Sequence, residues 1–439
     1  MWGVARRRRF LPVGKGDSMP ALPPGPAFAA ACTKEGLVIL DRYFTTPPAI
    51  TAHAELAAQA GPYPPELLAV LSPDMTARAR DAIRAWPDYA PTPLHRLDLL
   101  AGALGLGAVL YKDESVRFGL GSFKALGGAY AVLHLLAGRL EAALGHPVGL
   151  DEIRDGRYAE AAAAITVATA TDGNHGRSVA WGARLAGCRC RIYIHAKVSE
   201  NRMRAMEAFG AEVVRIDGDY DASVHRCAEE AAANGWFVVS DTSYTGYDDL
   251  PRQVMAGYAL MASEVLDACG DNPPTHVFVQ AGVGGLAAAL CAELWMTLGA
   301  RRPRFVIVEA DRAACLLESA RAGAPRNVAI REETIMAGLS CGEVSLLAWD
   351  ILSRGAADFV AIGDEAVAPA MRLMASGAAG GGAIEAGECA VAGVVALIAA
   401  CGDAALRARL GLDAASRVLL LGSEGATDPE IYRAIIAAA

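Results

Sequence analysis

His276-Val277-Phe278-Val279-Gln280-Ala281-Gly282-Val283-Gly284-Gly285-Leu286 runs from a short β-branched and aromatic stretch through a glycine-rich turn into an Ala/Leu-rich helical pattern that reaches Leu294. Such a unit reads as a parallel strand, a tight turn at its carboxyl end and a crossover helix. The same order recurs along the chain. Short apolar runs at Ala108–Lys112, Ile165–Ala168, Arg191–Ile194, Glu212–Ile216, Phe237–Val239, Arg304–Glu309, Asp358–Ile362 and Arg417–Leu421 alternate with longer helical patterns. The fold class is therefore α/β, with parallel-rich sheets and flanking helices.

Upstream of Ala108 the signals are less regular. Residues 20–50 are rich in Pro, Ala and Gly and read as an irregular arm. A helical pattern starts at Glu66 beyond Pro64-Pro65, and Ser72-Pro73-Asp74 caps a second helix ending near Trp86-Pro87. In Pro91-Thr92-Pro93-Leu94 each proline fixes its own φ and pushes its predecessor out of the helical region, which makes an extended linker. Far downstream, Ala378–Ala383, centred on Gly380-Gly381-Gly382, reads as a flexible surface turn.

With 439 residues, 53% hydrophobic and 20% charged, the chain is too apolar for disorder and long for one domain, so two packed units are expected. A formal net charge of −9 opposes binding to a nucleic-acid backbone. Glu, Arg or Gly interrupts the Ala-rich stretches before about 18 apolar residues accumulate, which argues against a membrane span. Ten scattered cysteines form no secreted disulfide framework, and Cys188-Arg189-Cys190 lacks a second pair at zinc-site spacing. A cytoplasmic protein without a bound metal is expected. The basic run Arg6–Arg9 precedes too short an apolar stretch for a secretory signal; residues 1–27 read as a disordered tail, with a targeting or nucleic-acid arm as the other reading.

Chemistry-bearing residues concentrate in the turns after strands. Phe118-Gly119-Leu120-Gly121-Ser122-Phe123-Lys124 places Lys124 at the start of an apolar helix. Burial lowers the pKa of such an amine toward its nucleophilic form and favours Schiff-base chemistry, while a surface lysine with a buried stem is the alternative. Thr169-Ala170-Thr171-Asp172-Gly173-Asn174-His175-Gly176 lies at the carboxyl edge of a strand, where open α/β folds bind ligands. A plain helix start explains it too, and nothing in the sequence pairs His175 as a base. Consecutive N–H groups at Gly282–Leu286 suit a phosphate; the turn also opens like a dinucleotide fingerprint, with Glu309 as its acidic residue. Ser423, after the strand Arg417–Leu421, is either a turn residue or a site hydroxyl.

In this order, Ser-Phe-Lys with the pair Gly127-Gly128, Gly-Asn-His-Gly, Gly-Val-Gly-Gly-Leu and a last strand ending in serine resemble the pyridoxal-phosphate enzymes of fold type II, the tryptophan synthase β superfamily. Within it, about residues 36–435 are similar to diaminopropionate ammonia-lyases. The most specific stretches are Phe118–Lys124, Ala170–Gly176, Asp241–Tyr247, Thr334–Glu343 and Ser423–Asp428. The resemblance implies α,β-elimination of 2,3-diaminopropionate to pyruvate and two ammonia. A serine or threonine dehydratase, or a lyase of another β-substituted amino acid, is the alternative; a nicotinamide-binding protein or a non-catalytic ligand sensor is the remaining one.

By the same resemblance Lys124 carries pyridoxal 5'-phosphate, with Phe123 beside it and Asn174 on its phenolic oxygen. The amides of Gly282, Val283, Gly284, Gly285 and Leu286 hold its phosphate, and Ser423 faces its pyridine nitrogen. Lys124 and Asp172 are implied as bases for the two enantiomers, from opposite faces, and Asp241 as a second carboxylate. Asp172 stands where dehydratases carry a small residue, and a carboxylate there suits a substrate with an extra ammonium. A homodimer is implied, as is a small domain, residues 119–240, inserted in a large cofactor-binding domain of residues 28–118 and 241–439.

The chain departs from the family pattern at two places. Ala426 replaces an acidic residue, which would shift specificity if that acid orients the substrate. Cys389 replaces a serine in Glu385-Ala386-Gly387-Glu388-Cys389-Ala390, where Glu388 either lines the site or starts a helix. Cys291 and Cys315 read as a reversible disulfide or as two buried thiols. A monovalent cation on backbone carbonyls stays open.

Overall fold

The β-branched run at His276 forms a buried central strand, as its lack of a polar face requires. In this computed structural model residues 40–171 and 173–438 are described. The expected tail, the first residues of the expected large domain and Asp172 lie outside the described residues.

The strands are β1 (Ile50–Glu55), β2 (Leu94–Arg96), β3 (Ala108–Asp113), β4 (Thr166–Ala170), β5 (Arg189–Ile194), β6 (Glu212–Arg215), β7 (Phe237–Val238), β8 (His276–Gln280), β9 (Arg304–Ala310), β10 (Asp358–Ile362) and β11 (Arg417–Gly422). They form a seven-stranded sheet in the order β1-β10-β9-β8-β11-β3-β2 and a four-stranded sheet in the order β6-β5-β4-β7. The smaller sheet is parallel throughout. In the larger one β10, β9, β8, β11 and β3 run parallel.

Both edges of that sheet are antiparallel and were not expected from the sequence. The linker at Pro91–Leu94 is extended, but it runs directly into a ladder: Asp113 N donates to the Pro93 carbonyl at 2.9 Å, and Leu94 pairs with Lys112. An edge tolerates proline because half of its N–H groups face away from the sheet. At the other edge Ile50–Glu55, just past the irregular arm, pairs with β10 through a bulge between Ile50 and Ala52. The glycine turn at 378–383 is also tied down, since Leu100 N donates to the Ala379 carbonyl at 2.9 Å and Ala379 is buried. It is a packed turn rather than a free one.

Two devices place Lys124. Its helix, Lys124–Leu144, crosses the helix Asp249–Tyr258 at a distance only glycine permits. A Cβ on Gly127 would stand 2.5 Å from the Tyr258 ring, and one on Gly257 would stand 2.3 Å from the Leu126 carbonyl. The second device is a buried charge cluster under the preceding turn. Arg117, 1% exposed, donates to Glu264 through Nη1 at 2.8 Å and Nη2 at 2.7 Å. It also reaches Glu114 through Nε at 2.8 Å and Nη2 at 2.9 Å. Lys112 Nζ donates to Glu264 and to the Thr92 carbonyl. The linker, β3, the turn and the helix Leu260–Cys269 thus share one ionic knot.

Removing one partner of such a cluster leaves uncompensated charge in a dry interior, which costs about 3–5 kcal/mol. Glu264→Ala should lower the urea midpoint accordingly. Glu55→Ala, at the exposed Arg304 pair of 3.4 Å, should change stability by less than about 1 kcal/mol. Equal shifts for the two variants would show that the knot has no special share in stability.

Candidate active site

The turns after β4, β7, β8 and β11 meet at the carboxyl ends of both sheets, as open α/β topologies favour. They enclose a cavity of about 710 Å³. Lys124, Phe123, Asn174, Asp241, Gly282, Val283, Gly284, Gly285, Leu286 and Ser423 all line it. Asp172 lies outside the described residues, but its neighbours Thr171 and Gly173 line the same cavity.

Lys124 Nζ donates to Asp241 Oδ2 and stands 5.3 Å from the Phe123 ring centroid and 5.9 Å from that of Tyr258. Burial alone would lower its pKa, but the Asp241 carboxylate outweighs burial and holds it well above the ordinary lysine value. This corrects the expectation from sequence: the amine is kept as an ammonium, because a carboxylate more than a hundred residues away in the chain meets it. Burial likewise would raise Asp241, while the Lys124 ammonium holds it well below the usual carboxylate range.

His175 is fixed through Nε2 to the Val239 carbonyl at 2.9 Å. A carbonyl only accepts, so Nε2 carries the hydrogen. Nδ1 then faces Asp241 Oδ2 at 3.8 Å without a hydrogen bond. Burial pushes the imidazole pKa down, which favours the neutral ring. Asn174 Nδ2 donates to Glu424 Oε2, and Glu424 Oε1 accepts from Cys389 N at 3.4 Å. Glu388 lines the cavity nearby; burial first and Glu424 second raise its pKa.

The helix Gly285–Leu298 begins at Gly284, whose φ of 101° few other residues adopt, and no side chain caps it. Its first-turn N–H groups lack intrahelical partners and carry the positive end of the helix dipole. Gln280 Oε1 and the Tyr258 hydroxyl are buried polar groups without a hydrogen-bond partner, and both residues line the cavity. An amine, an uncapped helix start and a strand-end hydroxyl in one cavity fit an aldehyde, a phosphate and a ring heteroatom, the three functions of pyridoxal phosphate.

Other sequence readings find their place. Glu309 accepts from Leu316 N at 2.8 Å and Leu317 N at 2.7 Å, so it caps the helix Cys315–Ala322 instead of facing a ribose. Cys291 and Cys315 are both buried free thiols. Cys315 Sγ points at the carbonyls of Gly282, 3.7 Å, and Glu343, 3.6 Å. Ala426 does not line the cavity; its N–H donates to Glu385 Oε1 at 3.0 Å. Among the described residues no group of three His, Cys, Asp or Glu is placed to hold a metal ion. Sequence reasoning missed Tyr258, Glu424 and the side chain of Gln280. Gly257 inside a helical pattern was the available hint of a close approach beside Tyr258.

The family described as "Pyridoxal-phosphate dependent enzyme" matches residues 85–423. Diaminopropionate ammonia-lyase of Salmonella typhimurium is 37% identical over 367 residues, 80% of this chain and 89% of that protein. The holo crystal structure of diaminopropionate ammonia-lyase from Escherichia coli is 33% identical, with a TM-score of 0.80 over 89% of this chain and 98% of that one. The same enzyme in complex with an aminoacrylate–pyridoxal phosphate azomethine intermediate gives 0.78 over the same shares. This similarity over most of the chain means that it belongs to the pyridoxal-phosphate-dependent enzymes of fold type II and, within them, to the diaminopropionate ammonia-lyase family.

Proposed function

We propose that the protein removes both amino groups of 2,3-diaminopropionate and leaves pyruvate and two ammonia. The observation that carries this reading is the Asp241 carboxylate on Lys124, in a cavity also lined by Thr171 and Gly173, the sequence neighbours of a second carboxylate residue, Asp172. A substrate with two ammonium groups gains from anionic side chains in a partly dry site, whereas serine or threonine offers only a hydroxyl.

When bound, pyridoxal phosphate supplies an electron sink for the pair left on Cα as its proton departs. Lys124 Nζ is the attachment point and the base that takes the Cα proton of one enantiomer. Asp172 takes it from the opposite face for the other. The N–H groups of Gly282–Leu286 hold the phosphate, the Asn174 amide the phenolic oxygen, and the Ser423 hydroxyl the ring nitrogen. Phe123 packs beside Lys124 with its ring 4.7 Å from that of Tyr258, which limits water near the amine. Asp241 keeps the free lysine protonated and presents its charge toward the substrate's second ammonium.

Residues 119–240 form the inserted small domain in this reading, supported by a parallel sheet drawn wholly from residues 166–238. A homodimer belongs to the same reading, on the family resemblance. So does a cytoplasmic location, on the free state of the described cysteines. Among the described residues no helix is long and apolar enough to cross a membrane.

Purified protein given 2,3-diaminopropionate should release two ammonia for each pyruvate; a ratio of one, or faster turnover of serine, would remove the substrate assignment. Asp172→Ala should lower kcat/KM for one enantiomer by about 100-fold or more and spare the other. Equal losses on both would defeat the two-face assignment.

The Lys124–Asp241 pair sets a pH dependence for cofactor loading, because only the neutral amine attacks an aldehyde. With Asp241 in place the ammonium persists to high pH, so uptake by the apoprotein should climb as pH rises from about 6 to 9. In Asp241→Asn the main opposition to burial is gone, the pKa falls, and the profile should move to lower pH. Stopped-flow absorbance on mixing with pyridoxal phosphate reads this directly; an unmoved profile would contradict the role given to Asp241.

A further inference from the structure

We propose that Gln280 is a positioning residue that makes Ser423 a hydrogen-bond donor into the cavity; this rests on the reading of Ser423 as partner of the cofactor's ring nitrogen. Gln280 ends β8 and is 1% exposed. Its Nε2 lies 2.9 Å from the Leu421 carbonyl and 2.8 Å from Ser423 Oγ.

The orientation of this amide follows from donor and acceptor chemistry. Leu421 O only accepts, so the amide nitrogen must face it; the reverse placement would set two oxygens against each other. Both amide hydrogens are then committed, one to Leu421 and one to Ser423. Ser423 Oγ is an acceptor in that bond, and among the described residues no group accepts its own proton. The serine is 3% exposed and lines the cavity, so its unsatisfied proton is directed at whatever fills the space. A ring nitrogen that takes this proton as a hydrogen bond stays unprotonated, because a hydroxyl is too weak an acid to transfer it.

The location of Gln280 makes this coupling economical. The parallel ladder of β8 and β11 has its last pair at Phe278 and Leu420. Beyond it the Gln280 side chain continues the cross-strand bonding, two residues before Gly282, where the phosphate turn begins. One residue therefore ties the ring-nitrogen subsite to the phosphate subsite.

The test uses apoprotein reconstituted with pyridoxal phosphate labelled with nitrogen-15 in the ring, for the wild type, Gln280→Met, Ser423→Ala and the double variant. In Gln280→Met the freed Leu421 carbonyl should draw the serine proton. The ring-nitrogen signal should then move to that of Ser423→Ala, and cofactor Kd should rise about tenfold, the worth of one hydrogen bond. In the Ser423→Ala background the glutamine change should add nothing to the shift. If Gln280→Met keeps the wild-type signal while Ser423→Ala moves it, the proposal falls and the serine reading stands. If Ser423→Ala itself leaves the signal in place, the serine reading fails and takes the proposal with it. Should Gln280→Met not fold, Gln280→Glu, whose carboxyl accepts the serine proton, must give the same displacement.

Discussion

A lysine amine buried against a carboxylate is the interaction on which the site depends. Lys124 is the first residue of a helix whose next nine residues, Ala125 to Leu133, are all buried, so its ammonium has no water to solvate it fully. Asp241 supplies the missing charge from the far side of the cavity, and each group fixes the ionisation of the other. The pair works only if both backbones are held. On the lysine side the Gly127–Gly257 crossing and the Arg117 cluster leave the helix start no freedom. On the aspartate side Tyr247 donates to the Val238 carbonyl at 2.9 Å and accepts from Ser240 N at 2.9 Å. Ser243 is further stitched to Ser345 at 2.8 Å.

These constraints divide the cavity by chemistry. Backbone N–H groups and the Ser423 hydroxyl, on β8 and β11 of the larger sheet, are neutral and fixed by the ladders beneath them. The carboxylate Asp241 and the turn around position 172 follow β7 and β4 of the smaller sheet. Groups suited to a cofactor thus come largely from one sheet, and groups suited to a substrate's ammonium from the other. Relative movement of the sheets would shift Asp241 against the turn at Gly282–Leu286 while leaving that turn intact.

What the sequence reveals follows from range. The central strands were legible because a strand buried on both faces leaves no choice but β-branched and aromatic residues, as in His276–Val279. The turn that opens the helix Gly285–Leu298 was legible because its backbone geometry is written in closely spaced glycines. The edges were not: three residues at Leu94–Arg96 carry no periodicity, and their pairing partner lies in β3. Nor was the ionisation of Lys124, since the carboxylate that decides it stands 117 residues away. Arg117 is another such case, a cation that reads as surface until Glu114 and Glu264 surround it. Local composition announces backbone geometry, while charge pairing across the fold is set by tertiary contact.

The departures from the family pattern bear on specificity through the same geometry. Ala426 lies outside the cavity, and its N–H is engaged by Glu385. Cys389 does line the cavity, and both its backbone N–H and its thiol meet Glu424. Glu424 in turn receives the Asn174 amide. The backbone hydrogen bond to this carboxylate does not depend on the side chain at 389, and burial first and Glu424 second keep the thiol protonated. Neither position carries a charge into the cavity, where the carboxylate bonded to the Lys124 amine is that of Asp241.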